Sequence, residues 1–128
     1  MSKSIKVLII DDEKDFCYFV KKNLMRDGLF DVITATNSKH GIELAENEQP
    51  DIILLDLIMP DIPGDEVAAV LKGQTATATI PILYITALAT DDDIGDNEAK
   101  KIGNNHILAK PVRTKKLVET ILNILSKP

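Results

Sequence analysis

The chain has 128 residues, 45 % of them apolar and 27 % charged, which suits one compact domain with its own core. No apolar run approaches the roughly 18 residues that a membrane helix needs. A net charge of −5 argues against a nucleic-acid partner, whose phosphates demand a basic face, and fits a protein partner or a bound divalent cation.

The start, "MSKSIKVLII", lacks the long apolar region and the cleavage site of a secretory signal, so a cytoplasmic location is expected. Residues 5–10 then read as a strand, near-continuously apolar because both faces are to be covered. The strand runs straight into Asp11, Asp12 and Glu13. In 14–27, Phe16, Phe19, Val20 and Leu24 recur on one helical face, and Gly28 follows as a C-cap. Cys17, the one cysteine, excludes an internal disulfide and reads as a packed small residue. A shorter, more polar strand over 31–35 is expected at a sheet edge. Ser38 is expected to cap a second helix that runs to about Asn47 and carries Ile42, Leu44 and Ala45.

The third strand, 51–55, closes on Asp56 in "LLDLIMPDIPG". A third helix starts near Gly64 and Asp65, carries Val67, Val70 and Leu71, and ends by Gly73. "TATAT" at 75–79 reads as a loop. The fourth strand, 81–85, is followed by Thr86 and Ala87. A fourth helix is predicted from "TDDD", with acids at the N-terminus where they are favoured, to Gly103. The fifth strand, 105–109, is again polar and expected at an edge. It ends on Lys110 and Pro111, and a last helix over 113–126 carries Leu117, Ile121, Ile124 and Leu125. His40 and His106 read as surface residues, and with one cysteine there is no zinc set.

Five repeated βα units in one domain, 1–128, imply an α/β fold: a doubly wound parallel sheet with helices on both faces. Ligands of such sheets bind beyond the carboxyl ends of the strands, where strand order reverses. Asp11, Asp12, Asp56, Thr86 and Lys110 all follow strands and therefore converge there. Three carboxylates together repel and invite a hard cation, for which Mg2+ is the best fit. Beside a metal, a lysine and a hydroxyl, an aspartate has what it needs to attack phosphorus.

"DDE" at 11–13, "DLIMPDIPG" at 56–64, "TA" at 86–87 and "KP" at 110–111 lie in order, each after a predicted strand. Together they resemble the receiver domain of two-component response regulators, and the resemblance covers the whole chain. It implies a flavodoxin-like strand order 2-1-3-4-5, with Asp56 as the phospho-accepting residue. It further implies Mg2+, replaceable by Mn2+, on Asp11, Asp12, Asp56 and the backbone carbonyl of Ile58. Asp11 would act mostly through water. Thr86, the backbone N–H of Ala87 and Lys110 would hold the phosphoryl oxygens, and the Lys110–Pro111 bond would be cis.

The implied partners are a sensor histidine kinase or phosphotransfer protein and a downstream protein target, without direct nucleic-acid or membrane contact. The switching surface would be the fourth helix, fifth strand and fifth helix, a face through which such domains also form homodimers. The implied role is a switch, not an enzyme beyond its own phosphotransfer and autodephosphorylation. With no effector domain in the sequence, output would be by protein contact, unless these residues are a piece of a longer protein.

The sequence departs from the family in one respect. A switch aromatic, expected three residues before the lysine, is replaced by Ile107, and the aromatic after "KP" by Val112. The coupling of Thr86 to that position is therefore expected to differ. Ile58 and Leu88, both apolar, flank the phosphoryl position and are expected to make the phosphorylated form long-lived.

Three other classes fit less well. A haloacid dehalogenase-type phosphatase needs D-x-D after its first strand, and a flavin or nucleotide binder needs a Gly-, Ser- or Thr-rich loop there. A degenerate receiver acting only in docking would not need the intact acid set with Thr86 and Lys110.

Overall fold

A computed structural model describes residues 4–87, 100–102 and 105–126. Element order is β1 (Ile5–Ile10), α1 (Lys14–Met25), β2 (Phe30–Ala35), α2 (Ser38–Glu48), β3 (Ile52–Leu55), α3 (Gly64–Lys72), β4 (Ile82–Thr86), β5 (Lys100–Ile102), β6 (Asn105–Ala109) and α4 (Thr114–Ser126). The sheet runs β2-β1-β3-β4-β6-β5. Its first five strands in that order are parallel, as the α/β reading requires, and β5 adds an antiparallel sixth at the edge.

That sixth strand corrects two expectations. The predicted fourth helix lies mostly outside the described residues, but 100–102, assigned to its end, pair as strand with 105–107. The fifth parallel strand is consequently an inner strand. The antiparallel pairing of 100–102 with 105–107 satisfies this backbone along β6, a partner that the local helical reading did not include.

Side chains alternate across the pleat, so each strand feeds two cores. On one face Val7, Ile9, Ile52, Leu54, Leu83, Ile85 and Leu108 pack with Cys17, Val20 and Leu24 of α1 and Leu117 and Ile121 of α4. On the other Leu8, Ile10, Ile53, Leu55, Ile82, Tyr84 and Ile107 meet Ala45 of α2 and Val67, Ala68 and Leu71 of α3. Each fully buried Leu or Ile contributes roughly 1.5–3 kcal/mol relative to exposure.

Helix azimuths differ in detail from the periodicity. In α1 the buried stripe is Cys17, Val20 and Leu24, leaving Phe19 57 % exposed and Phe16 half-buried at the margin. Val70 of α3 likewise turns outward while Ala68 is buried. The cap of α2 is Asn37, whose side chain accepts from His40 N at 2.8 Å. Ser38 is instead the first helical residue, and its hydroxyl donates to the carbonyl of Ile62 at 2.7 Å. His40 is exposed, but His106 is half-buried within β6.

Candidate functional site

Strand register assembles the site. β1 and β3 pair with Ile10 beside Leu55, so the next residue of each strand, Asp11 and Asp56, meet at the carboxyl edge. The chain leaves β1 to one side for β2 and returns on the other for β3, which makes this the point where strand order reverses. The ladder extends into both acids: Asp11 N donates to Ala35 O at 3.0 Å and Asp56 N to Ile10 O at 3.1 Å. β4 and β6 pair with Thr86 beside Ala109, and Lys110 N donates to Thr86 O at 3.1 Å, which delivers Lys110 to the same edge.

Local chemistry then fixes each carboxylate. Asp11 Oδ1 accepts from Glu13 N at 2.9 Å, an Asx turn that bends the chain into α1. The Cys17 thiol donates to Asp11 O at 3.3 Å. Burial pushes that thiol up to about 12, with the negative charge of Asp11 acting in the same direction, so it stays a neutral donor. Asp56 Oδ1 accepts from Ile58 N at 3.1 Å. Behind Asp56, a Cβ on Gly64 would lie 2.1 Å from the Asp56 carbonyl oxygen, so only glycine lets α3 start this close.

The loop between is tied down from outside. The exposed Asp61 accepts from Ser38 N at 2.9 Å and Lys39 N at 3.2 Å, joining the β3–α3 loop to the start of α2. Desolvation alone would raise its carboxyl, but backbone donors from Ser38, Lys39 and Ile62 hold it down to about 2.

Lys110 Nζ sits among the acids. It lies 2.7 Å from Asp11 Oδ2 and 3.2 Å from Asp56 Oδ2, and it also donates to Glu13 Oε1. The Phe16 ring centroid is 4.4 Å away, within cation–π range. Burial works against the ammonium charge, yet hydrogen bonds to Asp11 and Glu13 and the charges of Asp11 and Asp56 hold its pKa above the ordinary value.

Asp11 moves the other way from a satisfied ion pair. Burial lifts its carboxyl above the ordinary value and Asp56 adds to this, outweighing the opposing pull of Lys110 and Glu13 N–H. The lysine is shared among three acids, so it gains from all of them while Asp11 receives only part of one cation. Asp11 is 1 % exposed, and its Oδ2 meets the Lys110 ammonium at 2.7 Å and accepts from no other group among the described residues.

Asp11, Asp12 and Asp56 each offer a carboxylate oxygen, and these oxygens lie within 4.8 Å of one another. Clustered hard oxygens, one of them buried with only a shared ammonium beside it, suit an oxygen-preferring divalent cation. The donor set fits the implied metal. Thr86 is fully buried at the end of β4, Ala87 follows it in an exposed turn, and Ile58 is 52 % exposed beside Asp56. The Lys110–Pro111 bond is cis. Ile107 does not sit among the site groups; it is 4 % exposed in the α2–α3 core, in register with Tyr84. Leu88 lies outside the described residues.

Glu13, Phe16, Cys17, Asp61 and Gly64 were given no part of their own in the site by the sequence reading. Only two had a legible signal: the D-x-E spacing of the Asx turn, and a glycine opening α3 after "DIP".

Comparison with known proteins follows the same geometry. A sequence profile described as the response regulator receiver domain matches residues 7–122. The alkaline phosphatase synthesis transcriptional regulatory protein PhoP of Bacillus subtilis is 32 % identical over 122 residues, 95 % of this chain but 49 % of PhoP. The chain therefore spans about half the length of that relative. Protein PilH of Pseudomonas aeruginosa is 31 % identical over 121 residues, 94 % of this chain and 98 % of PilH. The crystal structure of chemotaxis protein CheY4 from Vibrio cholerae superposes with a TM-score of 0.80 at 25 % identity, covering 95 % of this chain and 99 % of that one. Among the described residues no helix is long and apolar enough to cross a membrane.

Proposed function

Since this chain belongs to the response regulator receiver domain family of two-component signalling, we propose that it is a single receiver domain over 1–128 that takes a phosphoryl group onto Asp56 from the phosphohistidine of a sensor histidine kinase or phosphotransfer protein. The observation that carries this reading is the meeting of three carboxylates within 4.8 Å beside one lysine ammonium.

Asp11, Asp12, Asp56 and the main-chain carbonyl of Ile58 would hold Mg2+, with Mn2+ as a substitute. Bound there, the metal supplies positive charge to the phosphoryl oxygens. The residues do the rest. Ile58 N–H at 3.1 Å and Lys110 at 3.2 Å orient the Asp56 carboxylate. One Asp56 oxygen forms the new P–O bond as the P–N bond of the donor breaks, and the departing imidazole nitrogen keeps the bonding electron pair. Thr86 Oγ and Ala87 N–H receive phosphoryl oxygens, and Lys110 balances the charge that Asp56 gains.

Output is read as a change in protein contact on the face that includes β6 and α4, where a downstream protein, or a second copy of the domain after phosphorylation, would dock. Thr86 is the mobile member of that switch. At position 107 a buried isoleucine stands in the core, so this position has no ring to rotate and acts through packing.

Intact mass after incubation with Mg2+ and a small acyl-phosphate donor tests the reading. One added phosphoryl group is expected in the parent and none in Asp56→Ala. An equal gain in both would move the acceptor elsewhere, and no gain in either would remove the phosphoacceptor reading for such donors.

A further inference from the structure

We propose that Glu13 and Phe16 form a holding place for the Lys110 ammonium, a positioning pair that keeps this lysine from competing with a divalent cation for Asp11 and Asp56. The inference rests on the metal reading above. Lys110 Nζ contacts three carboxylates, and two of them, Asp11 and Asp56, belong to the metal-competent cluster. A doubly charged cation and an ammonium cannot both be neutralised by the same two buried carboxylates, and in a partly desolvated site their repulsion is strong.

Glu13 is the third carboxylate and stands outside the cluster. Its side chain is 61 % exposed at the rim while that of Lys110 is 9 % exposed, so Glu13 stays in contact with solvent while one oxygen reaches inward to the ammonium. Phe16 follows at i+3 around the same helical turn and places its ring 4.4 Å from Nζ. An anion and an aromatic face thus meet the ammonium on the side of α1. They let Lys110 give up Asp11 and Asp56 without losing all compensation of its charge. With the Glu13 carboxylate removed by substitution, Asp11 and Asp56 would be the remaining acids in contact with Lys110 among the described residues, and the lysine would compete directly for the metal oxygens.

Mg2+ titrations by calorimetry would be compared for the parent, Glu13→Gln, Glu13→Asp, Phe16→Leu, Lys110→Met and the double variant Glu13→Gln/Lys110→Met. The Lys110 Cε–Hε NMR signal would be followed in the variants that retain it. Glu13→Gln is expected to weaken Mg2+ binding by roughly three- to tenfold, and Phe16→Leu by about twofold, with a shifted Lys110 signal in each. Glu13→Asp is expected to restore most of the loss. In the Lys110→Met background the Glu13→Gln effect should shrink below about twofold, because the coupling passes through the lysine.

Unchanged binding in Glu13→Gln, or the same loss with and without Lys110, would overturn the proposal in favour of no effect or a plain through-space charge effect. Unchanged binding in Phe16→Leu would overturn the part given to the ring. Failure of the parent itself to bind Mg2+ would overturn the metal reading and this inference with it.

Discussion

Asp11 and Asp56 are ordinary residues given unusual surroundings by a two-residue coincidence of register. Each ends a strand of branched apolar residues, and the pairing of Ile10 with Leu55 removes both from bulk water. Cys17, Glu13 N–H and Ile58 N–H then hold their backbones and one oxygen of each. The second oxygens face Lys110. At this scale Ile58, two residues after Asp56 and 52 % exposed, is the residue proposed to keep water from the phosphorylated aspartate. Ile58→Asn is expected to shorten the lifetime of phosphorylated protein by roughly two- to tenfold, since a polar amide there can orient an attacking water that the isoleucine excludes. Loss of label from purified phosphoprotein measures it, and equal lifetimes would show that position 58 does not govern hydrolysis.

At the scale of elements, the β3–α3 loop is the part most exposed to single substitutions. Its two ends are fixed by backbone contacts: Gly64 N donates to Leu57 O at 2.9 Å, and the glycine leaves no room for a Cβ against Asp56. Gly64→Ala is expected to destabilise the fold by about 1–3 kcal/mol, because the nearest atoms are backbone and must shift. It should also weaken Mg2+ binding by displacing Asp56. Urea melts and a Mg2+ titration check both, and a melt that overlays the parent's would contradict the steric argument.

The middle of the loop is held by Asp61 across to α2. Its carboxyl is depressed in the folded state to about 2, below an ordinary value of 3.8, so its contribution is present above about pH 4 and is lost as pH falls through 2. Asp61→Asn should therefore lower stability at neutral pH and flatten the acid limb of the stability curve between about pH 4 and 2. Thermal melts across that range read this directly, and parallel curves for the two proteins would sink it.

For the whole molecule, the acid cluster is a local cost set inside two well-packed layers. Lys110 offsets it incompletely, as the upward displacement of the Asp11 carboxyl indicates. A cation that binds the folded cluster and not the unfolded chain must raise overall stability by mass action, about 2.7 kcal/mol when present at a hundred times its dissociation constant. The melting temperature is accordingly expected to rise with Mg2+ in the parent and to stay flat in Asp11→Asn/Asp56→Asn. Equal responses in the two proteins would place Mg2+ elsewhere on the surface.

By itself the sequence determined the five parallel strands, the helices α1 to α4, the doubly wound sheet and the arrival of acids, threonine and lysine at strand ends. All of these are written in local periodicity, and in a parallel sheet every strand end faces the same edge. Even locally it misled where two signals competed: a continuing helical pattern hid the short strand β5, and Ser38 was taken for the cap that Asn37 provides. Only the tertiary structure decided which faces were buried, turning Phe19 of α1 and Val70 of α3 outward. It also placed Ile107 in the core, and set the Lys110 ammonium between Asp11, Asp56 and Glu13 against the ring of Phe16. The physical reason is that helix rotation over a sheet and the reach of a long side chain depend on partners distant in sequence. Glu13 and Lys110 lie 97 positions apart, a separation over which no local pattern carries information.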